Sequence, residues 1–226
     1  IGHDVSGVED NVSHEDFTPH VAQDFHSVGT GSAMTGVVQA HGKNGIYLKH
    51  TEDMLTFEGV YSPTQAADYD TAASANTEIS GSAYGLAVKG NLGVPGLTIG
   101  YGVSELQADT ATGNIAQEGK AYGVKYAASG FTVGYGVSDN TSAGGLKEEN
   151  TTYGISYQVN KGLSVSAAYG KVETAGEAIE EEYKTLQVGY DFGGMGITAG
   201  YYTVENIGGS SGADNEVFEI RTVTKF

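Results

Sequence analysis

The sequence predicts an all-β protein, a transmembrane antiparallel up-and-down β-barrel. Three observations carry this. From Gly45 onward, eleven segments alternate apolar with small or polar residues, the period-two pattern of half-buried strands. The links joining them alternate between tight and long. Each segment also has one apolar face and one face of small and polar residues, with few of the long charged side chains that a soluble sheet turns to water.

The segments are 45–51, 54–62, 81–90, 96–105, 118–127, 130–138, 151–159, 162–172, 183–192, 195–205 and 215–226. Tight links at 52–53, 91–95, 128–129, 160–161 and 193–194 alternate with long ones at 63–80, 106–117, 139–150, 173–182 and 206–214. Antiparallel hairpins crossing a membrane sort their links in this way, with short periplasmic turns and longer outer loops. The hairpins also repeat. Ala83-Tyr84-Gly85-Leu86 followed by the run 97–104 recurs as Ala121-Tyr122-Gly123-Val124 followed by 131–138, and as Thr152-Tyr153-Gly154-Ile155 followed by 163–170.

Successive side chains of a strand point to opposite faces, so each segment separates into two sets. Leu55, Phe57 and Tyr61 oppose Thr56 and Glu58; Tyr84, Leu86 and Val88 oppose Gly85, Ala87 and Lys89; Leu97, Ile99, Tyr101 and Val103 oppose Thr98, Gly100, Gly102 and Ser104. Further on, Tyr122, Val124 and Tyr126 oppose Gly123 and Lys125, and Phe131, Val133, Tyr135 and Val137 oppose Thr132, Gly134, Gly136 and Ser138. Tyr153, Ile155, Tyr157 and Val159 then oppose Gly154, Ser156 and Gln158, and Leu186, Val188, Tyr190 and Phe192 oppose Thr185, Gln187, Gly189 and Asp191. An inside-out barrel explains both sets: apolar side chains meet lipid, small polar ones line a wet lumen, and closure leaves no edge unpaired in hydrocarbon. Tyrosines near strand ends then supply the headgroup girdles. The rival is a secreted or surface-anchored soluble β-rich adhesin or structural protein.

Composition narrows the field. Thirty-five glycines beside fifteen tyrosines and only three prolines fit strands better than a disordered linker. There is no cysteine, so neither a disulfide framework nor a thiolate metal site exists. A net charge of −17 argues against nucleic acid, whose phosphates require clustered Lys and Arg. No stretch approaches the ~18 to 20 apolar residues of a spanning helix, and Ile1 opens no signal peptide. No Gly-x-Ser-x-Gly elbow and no Cys nucleophile occurs, and Gly100-Tyr101-Gly102 and Gly134-Tyr135-Gly136 lie within strands and open no helix, so the expectation is not an enzyme.

Two stretches carry a family resemblance. Glu216 to Phe226 is an amphipathic last strand ending in Phe, with Phe218, Ile220 and Phe226 on one parity and Glu219, Arg221 and Lys225 on the other. Gly42 to Pro63 reads as strand, tight turn and strand. The first is similar to the C-terminal insertion signal of outer-membrane barrels. The second resembles the hairpin after the constriction loop of Gram-negative porins, the trimeric general-diffusion type, but lacks the proline common at that turn. The resemblance implies a single barrel domain over 1–226, with 1–44 as an infolded constriction-loop region and 45–226 as the strands. It implies sixteen strands in all, so that five preceding ones would be absent here. An odd number cannot close a single-chain barrel. A competing count makes Ala33–His41 a twelfth strand on the weak apolar face of Met34, Gly36, Val38 and Ala40. Implied partners are the lipid bilayer, lipopolysaccharide, small hydrophilic solutes and two further copies in a homotrimer, at the bacterial outer membrane.

In that family, carboxylates of the infolded loop face basic wall residues and set a transverse field at the narrowest point. On this reading Asp4, Glu9, Asp10, Glu15 and Asp16 are eyelet acids, and Lys43, Lys49 and Arg221 belong to the opposing wall. Lys89 and Lys125 share lumen parity but stand near tight turns, at the periplasmic mouth. The plainer alternative for each acid is an exposed loop charge. All six histidines fall within the first fifty residues, but His14, His20 and His26 are spaced by six, which matches no zinc pattern. No cofactor is expected. The loop acids offer hard oxygen ligands to calcium, although Asp4-Val5-Ser6-Gly7 departs from calcium-loop spacing.

Overall fold

Among the described residues, twelve antiparallel strands form one sheet in which every strand pairs with its neighbours in sequence. They are β1 (Gly2–Val5), β2 (Gly42–Glu52), β3 (Leu55–Ala66), β4 (Glu78–Gly90), β5 (Leu97–Thr110), β6 (Gly113–Ala128), β7 (Phe131–Thr141), β8 (Lys147–Gln158), β9 (Leu163–Thr174), β10 (Glu181–Asp191), β11 (Met195–Glu205) and β12 (Asn215–Thr224). The structure is a computed structural model that describes residues 2–5, 18–19, 21, 42–66, 78–110, 113–141 and 145–224. Among these, β1 pairs only with β2, and β12 only with β11. The eleven expected strands are β2 to β12. The competing strand at Ala33–His41 lies outside the described residues.

The strands differ from expectation in length. β5 and β6 run on to Thr110 and from Gly113, so most of the expected link 106–117 is strand, and β4 likewise begins at Glu78. Apolar alternation marks only the part of a hairpin that crosses hydrocarbon. The backbone ladder needs no apolar side chain, and it continues through Gln107↔Ala116 and Asp109↔Asn114 because paired amides are satisfied equally well in water.

Turn chemistry at the short-link end accounts for the tight hairpins. Ser129 and Gly130 both have positive φ, 51° and 83°, the left-handed pair of a two-residue turn that follows strand twist. Asn91, Asn160 and Asp191 each accept a backbone N–H two residues on, from Gly93, Gly162 and Gly193 at 3.0, 2.9 and 2.6 Å.

Exposure is inverted relative to a soluble sheet. Leu48, Leu86, Leu186, Phe218 and Ile220 are exposed, Leu186 at 64%, whereas Ser62, Ser138, Asn150 and Thr152 on the opposite face are at 0%. Tyrosines form a row across the apolar face: Tyr61 stands opposite Tyr84, Tyr101 opposite Tyr122, and Tyr153 between Tyr135 and Tyr169. Ring centroids in the last trio are 5.1 and 6.4 Å apart. Nearer the short links, Phe131 stacks on Tyr157 at 4.1 Å. Water would oppose such a surface strongly and hydrocarbon would not.

Candidate functional site

The shielded face is a wall of hydroxyl, amide and small side chains, and part of the N-terminal region rests on it. Thr18 Oγ1 donates to Thr152 Oγ1 at 2.6 Å, and the Val21 N–H donates to Gln187 Oε1 at 2.8 Å and Ser166 Oγ at 3.1 Å. Gln187 in turn donates to Tyr202 Oη at 3.3 Å and accepts from Ser166 Oγ at 3.1 Å. Three successive strands, β8, β9 and β10, thus supply one polar seat. Glycine makes room in it: a Cβ at Gly154 would lie 2.7 Å from Pro19 Cδ, and one at Gly189 would lie 2.7 Å from Val21 Cγ1.

The expected site residues fall in several places. Asp4 lies in β1, at the sheet edge beside Gly42–Gly45, and so on a strand where a loop was expected; the amides of β2 take partners there. Glu9, Asp10, Glu15, Asp16 and Phe226 lie outside the described residues, and Lys43 is described by its backbone in β2 alone. Lys49 is on the shielded face of β2, with Nζ 2.6 Å from Glu58 Oε1 on β3; the Glu58 side chain is buried. Arg221 shares that face on β12 and donates to Glu219. Phe218 and Ile220 point the other way and are exposed, as their parity predicts. Lys49 and Arg221 thus each have a carboxylate neighbour.

Sequence reasoning missed the carboxylates that balance those cations, and it missed the seat. Glu58 and Glu219 share parity with Lys49 and Arg221, and that signal was available. Nothing local marks Thr152, Ser166 and Gln187 as partners of residues more than 130 positions away.

Beyond the tyrosine row, at the ends of the strands away from the tight turns, the outward positions turn acidic. An open cleft of about 1020 Å3 there is lined by Glu118, Lys120, Asp139, Glu149, Glu173 and Glu180, among others. Glu149 stands beyond Tyr153, clear of the apolar band. It keeps contact with solvent, but crowding, then Asp139 and Glu173, hold its carboxyl above the usual range, while Lys171 opposes them. Lys171 bonds to Glu173 and lies 3.5 Å from Glu180; these carboxylates raise its own pKa, the Glu173 bond foremost. No His, Asp and Glu group suited to a metal occurs among the described residues.

Comparison with known proteins follows the fold. A model of the family described as Gram-negative porin matches residues 2–209. No curated protein sequence matches the chain. Among solved structures, OmpTΔL8 of Vibrio cholerae, a loop-deletion form of an outer membrane protein, is similar with a TM-score of 0.64 at 15% identity, over 97% of this chain and 73% of that one. The outer membrane channel DcaP of Acinetobacter baumannii gives 0.62 at 9% identity, over 98% and 68%. An anion-selective porin from Comamonas acidovorans gives 0.58 at 12%, over 73% and 49%, so the matched region spans about half of that protein's length. Likeness at such identities speaks for the fold. Joined to the inverted sheet and the family match over most of its length, it shows that the chain belongs to the Gram-negative porins, β-barrel proteins of the bacterial outer membrane.

Proposed function

We propose that this chain forms the wall of a passive, water-filled diffusion channel for small hydrophilic solutes and ions, with a lean towards cations, and that it is not an enzyme. The observation that carries the reading is the seat of Thr18 and Val21 on the small-residue face, since a segment inside a wet lumen narrows it. In this reading the stretch between β1 and β2 forms the constriction region, Glu9, Asp10, Glu15 and Asp16 supply negative potential there, Asp4 stands in β1 beside it, and Lys43, Lys49 and Arg221 stand on the wall.

The ion pairs of Lys49 with Glu58 and Arg221 with Glu219 reduce the pull of wall cations on anions. With a net charge of −17, this favours cations, the opposite of the selectivity named for the Comamonas porin. A sixteen-stranded closure is the arrangement the resemblance implies. A homotrimer in contact with lipid and lipopolysaccharide is the assembly the resemblance implies. The exposed apolar face argues against the soluble adhesin.

Planar-bilayer conductance with reversal potentials across a salt gradient tests this. Stepwise channels with a cation-favouring reversal potential are expected. Absence of channels, or a clear anion preference, would overturn the proposal.

A further inference from the structure

The link between β11 and β12, residues 206–214, is bound to the shielded face. Ile207 packs against Val172, Tyr183 and Val204, three buried side chains that share their faces of β9, β10 and β11 with Ser166, Gln187 and Tyr202. Beside it the Gly208 N–H donates to Glu181 Oε2 at 2.6 Å, and the other oxygen of this buried carboxylate accepts from the Tyr183 hydroxyl. A small apolar core is thus built where the alternation of the strands calls for a wet surface, and what covers it is this link.

The link is also tied to itself and to its neighbour. The Ile207 N–H donates to the Ala213 carbonyl at 2.8 Å, the Asn206 N–H to Asp214 Oδ1 at 3.0 Å, and Asn206 Nδ2 to the Glu180 carbonyl at 3.3 Å. Asn206 and Gly208 have positive φ, 58° and 60°, which reverses the chain sharply enough to bring Ile207 back over the sheet. A loop serving only to join two strands needs neither a buried apolar anchor nor a buried carboxylate receiving its backbone.

We propose that residues 206–214 form a fixed cap inside the outer mouth over β9–β11, with Ile207 and Glu181 as its positioning residues, so that solutes enter along the opposite side of the mouth. The cap rests on the channel reading above only for its effect on current; its attachment does not depend on that reading.

The test is single-channel conductance of the full chain, with graded uncharged polyethylene glycols added from the long-link side. Replacing 207–213 by Asn-Gly should raise conductance by about 1.5-fold and admit larger polymers from that side, because pore width governs both. Ile207→Ser, which keeps the loop length, should move both in the same direction. Unchanged conductance and polymer cut-off in variants that open as often as the parent would overturn the cap. A current-independent measurement uses the absence of cysteine. An Ile207→Cys thiol should react with a charged thiol reagent roughly 10-fold more slowly than a Ser211→Cys thiol on the exposed part of the link. Equal rates would sink the cap even if no variant conducts, whereas slow labelling in a non-conducting parent would retain the cap and reject the channel.

Discussion

The main-chain N–H of Val21 donates to the side chain of Gln187, 166 residues away, at 2.8 Å. Because the donor is backbone, this bond holds the path of the N-terminal segment whatever side chain stands at position 21. Gln187 is buried and also engages Ser166 and Tyr202, so its orientation is set before the segment arrives. Gln187→Leu keeps the volume and removes the acceptor. An amide that loses a buried partner costs about 1–3 kcal/mol, and Ser166 Oγ recovers part of it. Faster proteolytic cleavage near residue 21, with the sheet intact by circular dichroism, is expected.

Space as well as hydrogen bonding defines the seat. Gly154→Leu and Gly189→Leu place carbons where Pro19 and Val21 now sit. Overpacking of this kind typically costs about 1–3 kcal/mol, and here it should be relieved by displacement of the segment. The expected outcome is a modest fall in the unfolding midpoint with a large rise in protease sensitivity of the first forty residues. Unchanged sensitivity would show that the segment is held elsewhere.

The orientation of the sheet is tested by charge. Ile155 lies on the exposed apolar face between Tyr153 and Tyr157, whereas Thr132 lies on the opposite face. Ile155→Arg should destabilise the protein in lipid by about 2–4 kcal/mol, the cost of a cation at the bilayer midplane. Thr132→Arg should cost far less and shift the reversal potential towards anions. Urea unfolding in vesicles separates the two, and equal costs would contradict the inside-out arrangement.

Lys49 and Glu58 balance one another on the wall. Glu58→Gln removes the carboxylate and leaves the Lys49 charge in the lumen, so the reversal potential should move towards anions. Lys49→Met should move it towards cations. Measured together in one salt gradient, opposite signs are expected, and equal signs would place the pair outside the conducting path.

Glu149 offers a pH test outside the apolar band. Its folded carboxyl lies above the usual range, so the folded state holds the proton more tightly than the unfolded chain. Its ionised form therefore lowers stability once pH exceeds the raised folded value, and this penalty vanishes as pH falls below the ordinary carboxylate range. Glu149→Gln should raise the unfolding midpoint at neutral pH and lose that advantage in acid, as a melting series over pH would show.

Much of the sheet was legible because lipid and water select opposite side chains at every second position. Leu86 between Ala87 and Gly85, or Phe218 next to Glu219, each reports a face with no knowledge of partners. The extensions of β4, β5 and β6 were not legible, since Gln107 or Asp109 in a solvated ladder carries no apolar alternation. Asp4 was read as a loop acid and belongs to a strand, because four residues are too few for a period to appear.

The candidate site divides along the same line. The resemblance put Lys49 and Arg221 on the wall, and the registers of β2 with β3 and of β11 with β12 set both on the shielded face. The resemblance said nothing of Thr18 meeting Thr152, or of Ile207 closing over Val172, Tyr183 and Val204.

By itself the sequence determined which side of most strands faces hydrocarbon, where the tight turns fall and that the later strands follow one another as hairpins. These are local consequences of a two-residue repeat and of the short polar side chains and left-handed residues at the turns. Only the tertiary structure decided what lies against the inner wall. Those contacts join residues from distant hairpins, and their energy exists only once β8 to β11 stand side by side.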